Sequence, residues 1–258
     1  MANWNREQLL VALNLYCQMD FGKFHQSNPR IMAAAKLIGR TPSALAMKLC
    51  NMASLDPAIT ASGRKGLQGA SALDRSIWNE FQKSPDEMAY ESQIMMDELA
   101  AQDAELAPLS STMAVEEPVP SYYSGNATAM VVVRRKQQFF RNAILSSYES
   151  RCCMSGISHP KLLVASHIVP WAKDEHNRLN PANGLCLSAL HDKAFDQGLI
   201  TVTPSLTIQV SDVLRETEKS ASDHAILLGL HGKLITPPHK LSPHAEFLSY
   251  HNEHVFQH

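Results

Sequence analysis

Two short apolar runs and one helical run, in the order strand, loop, strand, helix, constrain this chain more than any other feature. Leu162 to Ala165 reads as a first strand and leads straight into Ser166-His167-Ile168-Val169-Pro170-Trp171. The turn-rich string Arg178-Leu179-Asn180-Pro181-Ala182-Asn183 precedes a second strand at Gly184 to Ser188. Ala189 to Asp196 then has helical spacing and is closed by Gly198. A His therefore ends the first strand, an Asn leads into the second, and His191 lies on the helix.

That order suits phosphodiester hydrolysis. Attack by water needs a base to remove a proton, and a neutral imidazole serves near neutral pH. A divalent cation beside the phosphate stabilises charge on the reacting oxygens. A strand end holds one imidazole rigidly, while the adjoining helix presents metal ligands across the same phosphate. His167 is the expected base and His191 the expected metal ligand.

Upstream, Asn5 precedes a helix over Arg6 to Met19, with Leu9, Leu10, Leu13 and Tyr16 at helical spacing on an amphipathic face. Asn28 and Pro29 open a second helix that Gly39 ends, and Thr41 and Pro42 open a third, Ser43 to about Met52. The tight turn between the last two fits a helix-turn-helix, and Gly39 to Leu45 resembles the turn of Myb-like DNA-binding modules. On that reading Ser43, Met47, Lys48 and Asn51 face outward toward DNA, with Arg40 at the turn and Arg64 and Lys65 adding phosphate contacts. A small helical bundle that packs on another protein is the alternative.

Charge divides the chain in three. Residues 1–83 hold 10 Lys/Arg against 5 Asp/Glu, residues 84–133 hold 9 acids and no Lys or Arg, and residues 134–258 hold 13 bases against 11 acids. Two basic lobes thus flank an acidic connector, which leaves phosphate binding open despite the net charge of −2. Pro85 to Leu106 reads as a solvent-exposed or pairing helix; Met95, Met96 and Leu99 share a face open to a second copy, but a plain connecting helix is the favoured reading. Pro108, Pro118 and Pro120 mark a linker. After Val131 to Val133 and the basic Arg134, Arg135 and Lys136, a helix is expected from about Gln137 to Tyr148, with Phe139, Phe140 and Ile144 inward. Five cysteines without a CxxC pair argue against a disulfide framework or zinc ribbon. No apolar run reaches the roughly 18 residues of a membrane span, and the charged N-terminus lacks a signal-peptide core, so a cytoplasmic location is expected.

The C-terminal half resembles the HNH endonuclease family, in the variant found in bacterial restriction and anti-phage nucleases. The likeness is carried by Val164 to Trp171 and by Asn180 to Leu187, continuing through His191-Asp192-Lys193-Ala194-Phe195-Asp196-Gln197-Gly198. Arg151 to Gly156 and Leu248 to Phe256 add to it. The resemblance implies a ββα-metal fold, His167 as general base, Asn183 as the residue that pins the loop between the strands, and His191 as metal ligand. Many relatives carry Asp or His where this chain has Ser166, a poor ligand for a divalent cation. Asp192 and Asp196 are the candidates to replace it, since hard cations favour carboxylates. Arg178 is the nearest candidate for gripping a phosphate.

The expected architecture is α+β: a helical module at 1–83 that binds DNA or a partner, an acidic helix and linker at 84–130, and a ββα-metal nuclease domain at 131–258. The expected cofactor is a divalent ion, Mg²⁺ first and Mn²⁺, Ni²⁺ or Zn²⁺ as alternatives. The expected partners are DNA, a second copy in a homodimer, and another defence component. The rival readings are a DNA-binding regulator with a degenerate nuclease lobe, and a DNase toxin.

Overall fold

The computed structural model describes residues 3–64, 67, 69–106, 127–216 and 220–258, and the side chains of 127–132 and 134 are left aside. Lys65 and the three linker prolines lie outside the described residues. The fold is mixed α+β.

Each of the first three helices starts where a short polar side chain caps it. Helix α1 (Arg6–Gln18) begins with a reciprocal capping box between Asn5 and Gln8. Asn28 caps α2 (Pro29–Leu37) and Thr41 caps α3 (Pro42–Ala53), each followed by proline at the first helical position. Gly39 joins the two at φ +67°, a left-handed conformation that favours glycine. The short α4 (Pro57–Ala61) and then α5 (Ala72–Lys83), with its own Ser71–Asp74 capping box, complete this part.

Helix α1 departs from the amphipathic expectation, because every residue from Leu9 to Gln18 is buried. The reason is α6 (Pro85–Ala100), which packs along α1 instead of standing in solvent and buries Met88, Ala89 and Met96. The polar residues this encloses satisfy one another, as buried amides must. Asn14 Nδ2 donates to Ser92 Oγ and Gln93 Oε1 at 3.2 Å each, and Gln18 Nε2 donates to Asn14 Oδ1 at 2.7 Å.

Helix α7 (Ala127–Ser147) starts ten residues before the expected Gln137 and takes in Val131 to Val133. Its early turns are tied to the acidic α6 by two ion pairs, Arg135 with Asp97 at 2.9 Å and Lys136 with Asp86 at 2.7 Å. Farther along, Asn142 Nδ2 donates to Gln18 Oε1 and Ser146 Oγ to the Cys17 carbonyl, so α7 also lies against α1. Lys240 completes that seam. It is fully buried, and its ammonium donates to the carbonyls of Tyr16 and Cys17 in the last turn of α1, where the helix dipole favours a cation.

Against α7 lies the hairpin of β1 (Leu163–His167) and β2 (Gly184–Ser188), paired antiparallel from Leu163↔Ser188 to His167↔Gly184. β1 therefore runs two residues past the expected end at Ala165, since pairing continues through His167. Helix α8 (Ala189–Asp196) follows directly, capped by Ser188. A second antiparallel pair, β3 (Ile200–Val202) with β4 (Ile208–Val210), precedes α9 (Asp212–Glu216), α10 (Ala221–Ile226) and α11 (Ala245–His254). Among the described residues no helix is long and apolar enough to cross a membrane.

Two expected DNA contacts turn inward. Lys48 donates to both carboxylate oxygens of Asp74 at 2.8 and 2.9 Å, and Asn51 Nδ2 donates to the Gly69 carbonyl at 3.3 Å. Both share the buried side of α3 with Leu45, Leu49 and Met52, because α5 brings the fully buried Asp74 over it. Arg40 is also engaged, donating to Gln8 Oε1 and to the Asn3 carbonyl. Arg64 meets His239 Nδ1 at 2.8 Å. Lys48→Ala strands the Asp74 carboxylate and is expected to cost about 3 kcal/mol, read by chemical denaturation. A residue that only touched DNA would leave stability unchanged.

His251 makes a second prediction. Its Nδ1 meets Thr201 Oγ1 at 2.8 Å, its Nε2 meets the Phe195 carbonyl at 3.2 Å, and its ring stacks on Phe195 at 3.7 Å. Burial pushes its pKa down to about 4, against a weaker opposing effect of the Phe195 carbonyl. Between an unfolded value near 6.5 and this folded value the unfolded chain binds more protons, so stability falls as pH drops through that window. The contribution reaches about 3 kcal/mol below the window, and denaturation at stepped pH is expected to show a shallower slope for His251→Gln.

Candidate active site

The sixteen residues between β1 and β2 form a loop that one side chain fastens. Asn183, buried at the start of β2, accepts from the Val169 amide at 2.8 Å through Oδ1. Its Nδ2 donates to the carbonyls of Val169 and Asn177 at 3.2 Å each. Its own carbonyl accepts from the Ile168 amide at 3.0 Å. Four bonds to backbone thus hold both ends of the loop together. Inside it, Asp174, Asn177 and Asn180 bond to one another and to nearby amides, shaping two short turns.

This loop orients His167. Nε2 of the imidazole lies 2.9 Å from the Arg178 carbonyl, an acceptor only, so Nε2 carries the hydrogen and Nδ1 keeps its lone pair. Nδ1 takes no hydrogen bond among the described residues. One face of the ring stacks on Phe140 of α7, with centroids 3.9 Å apart and planes 9° from parallel, and Trp171 meets it edge-on at 5.4 Å. Burial pushes the imidazole pKa down to about 4, against the opposing pull of the Arg178 carbonyl, so the ring is neutral at neutral pH.

Arg178 itself faces back into the loop. Its Nε donates to the Trp171 carbonyl at 2.9 Å, its guanidinium pairs with Glu175 at 3.1 Å, and it lies over the Trp171 ring. In this arrangement it acts on His167 through its backbone.

On the other face of β1, Ser166 is buried beside Asp192 of α8. Its hydroxyl lowers the Asp192 pKa without making a hydrogen bond of good geometry, so Ser166 Oγ is left without a satisfied partner. Burial outweighs that effect and leaves the Asp192 pKa raised overall. Asp196 stands one turn farther on the same helical face. Burial and the neighbouring Asp192 charge raise its pKa to about 6. The two carboxylates repel each other, and the unsatisfied Ser166 hydroxyl lies by the first of them. Among the described residues no three His, Cys, Asp or Glu side chains converge as a metal cluster.

His191 is placed elsewhere. It is buried, with Nδ1 2.9 Å from Ser188 Oγ and 3.5 Å from Cys152 Sγ, and Nε2 3.1 Å from the Ile226 carbonyl. Both ring nitrogens are occupied by protein partners. Burial opposes its charged form, but Cys152 and the Ile226 carbonyl prevail and raise its pKa. The Cys152 thiol in turn is lowered to about 6, because bonds to His191, Ser155 and Met154 outweigh its burial. All five cysteines are free.

The stacking partner Phe140 and the Cys152–His191 contact were not assigned to the site from sequence. In the sequence Phe140 is marked only as an inward helical residue, and Cys152 only as one of five cysteines without a CxxC pair. A related constraint sits at Gly184, opposite His167 in the hairpin. A methyl group there would lie 2.4 Å from Ile144 Cδ1 and 2.7 Å from Phe140 Cζ, so glycine is what lets α7 approach closely enough to stack on the imidazole. Gly184→Ala is expected to cost about 1–3 kcal/mol, seen as a lowered thermal midpoint. An unchanged midpoint would show that α7 gives way freely.

In comparison with known families, residues 152–203 fit the model described as HNH endonuclease. That span includes β1, β2 and α8, with His167, Asn183, His191, Asp192 and Asp196. No curated protein matches the chain.

Proposed function

We propose, from this HNH endonuclease segment and the geometry around it, that the chain is a metal-dependent endonuclease that hydrolyses phosphodiester bonds in DNA. The observation that carries the reading is His167, held neutral with Nε2–H on the Arg178 carbonyl and Nδ1 free. Nδ1 takes the proton of the attacking water, and the Arg178 carbonyl stays bonded to the imidazolium that forms. Phe140 and Asn183 keep the ring and its loop in that orientation.

Asp192 and Asp196, with Ser166, would hold the cation, Mg²⁺ before Mn²⁺, Ni²⁺ or Zn²⁺. A bound divalent ion supplies Lewis-acid stabilisation of charge on the phosphate and leaving oxygen. In this proposal His191 anchors the start of α8 to Ser188, Cys152 and Ile226. Coordination by His191 requires one ring nitrogen to leave its protein partner.

The proposal takes residues 131–258 as the nuclease domain and 1–83 as a module that binds DNA or a partner, with 84–130 as acidic helix and linker. The exposed Ser43 and Met47 and the partly engaged Arg40 and Arg64 remain its candidate outer contacts. One site cuts one strand, which favours a homodimer for duplex cleavage. The resemblance to restriction and anti-phage nucleases supports a role in defence beside another component. A regulator with an inactive nuclease lobe is the second reading, favoured by Ser166 and by the occupied nitrogens of His191.

Purified protein is expected to nick or linearise supercoiled plasmid with Mg²⁺ or Mn²⁺. His167→Ala is expected to slow this by about 10²- to 10⁴-fold, and the Asp192→Asn/Asp196→Asn pair to abolish Mn²⁺ binding in calorimetry. Cleavage that survives His167→Ala contradicts the assigned base. No cleavage by any of the proteins with any metal favours the regulator.

A further inference from the structure

The loop that orients His167 is held from outside the nuclease segment as well. Asp86, in the first turn of α6, accepts from the Leu179 amide at 2.9 Å through Oδ1. Through Oδ2 it accepts from Lys136 Nζ at 2.7 Å. Leu179 directly follows Arg178, whose carbonyl receives the His167 Nε2 hydrogen. The Asp86 contact therefore fixes the peptide joining those two residues. Lys136 lies one turn before Phe140 on α7, and Phe140 carries the stacked face of the imidazole. One carboxylate thus touches both structures that hold the ring: the backbone acceptor at its edge and the helix under its face.

We propose that Asp86 is a positioning residue for the hydrolytic site, fixing the Arg178–Leu179 peptide so that His167 presents Nδ1 to the attacking water. Asp86 lies 93 residues from Leu179 in sequence and outside the span that matches the nuclease family. The acidic helix is therefore part of the catalytic apparatus, which couples the N-terminal part of the chain to the chemistry. The inference rests on the nuclease reading above for its catalytic consequence, whereas the loop contact itself is testable without activity.

Two substitutions separate positioning from a simple ion pair with Lys136. Asp86→Asn keeps an oxygen for the Leu179 amide and gives up the charge; Lys136 is partly exposed and turns to solvent. Asp86→Glu keeps the charge and its pairing with Lys136 but moves the acceptor by one methylene. Asp86, Asn177 and Asn180 line a cavity of about 350 Å³ that has room for it. Positioning predicts that Asp86→Glu lowers kcat on plasmid about 10- to 100-fold with KM little changed, and that Asp86→Asn keeps most of the wild-type kcat. A purely electrostatic tie predicts the reverse order and overturns the proposal.

Hydrogen exchange at the Leu179 amide gives the second readout. It is expected to quicken in Asp86→Glu and stay slow in Asp86→Asn, whether or not the protein cuts DNA. Slow exchange in both variants overturns the proposal even with full activity. Loss of protection in Asp86→Glu alongside a wild-type protein that never cleaves leaves the loop contact standing and sinks the nuclease reading instead.

Discussion

The site depends on how a loop between two short strands is closed. β1 and β2 pair over only five residues each, and a hairpin of that size has little independent stability. Asn183 supplies what the pairing lacks, tying Val169 and Asn177 through one side chain while its carbonyl holds Ile168. The bonds to Val169 are buried, so losing one leaves an unsatisfied backbone group as well as a missing contact. The Arg178 carbonyl can hold the His167 ring only because the loop on which it sits is fastened at both ends.

From that loop the consequences spread outward. Phe140 under the imidazole requires α7 to come within contact of β2, which requires glycine at 184. Helix α7 is placed in turn by α1, through Gln18 and the Cys17 carbonyl, and by α6, through Asp86 and Asp97. The C-terminal segment threads back through Lys240 and through the Leu241 amide, which donates to Asp56 at 2.8 Å. The helices before the acidic stretch are in this way part of what holds the His167 ring.

Legibility in the sequence followed distance along the chain. Caps such as Asn5, Asn28 with Pro29, and Thr41 with Pro42 act within three residues, and the helices they open begin where those residues stand. The run Gly184 to Ser188 and the helix Ala189 to Asp196 are equally local. Lys48 and Asn51 read as outward because their partner, Asp74, lies more than 20 residues away and no short-range pattern announces it. Arg135 and Lys136 of α7 pair with Asp97 and Asp86 of α6, and α1 is buried in part by α6 and α7, all contacts between segments far apart along the chain. At the site, His167 and Asn183 stood out through the strand ends beside them. The occupation of both His191 nitrogens did not, since it involves Ile226, 35 residues on, and Cys152, 39 residues back. Sequence spacing shows which residues share an element; it does not show which distant backbone carbonyl a ring nitrogen meets.

The central claim is that the fold presents His167 as a neutral imidazole with its hydrogen on Nε2 and a free lone pair on Nδ1. Nitrogen-15 NMR of the histidine rings at neutral pH, with His167 assigned by substitution, reads this state directly. The account predicts a single Nε2–H tautomer for His167, with Nδ1 at the shift of an unprotonated nitrogen. A Nδ1–H tautomer, or a freely exchanging mixture of the two, would contradict it.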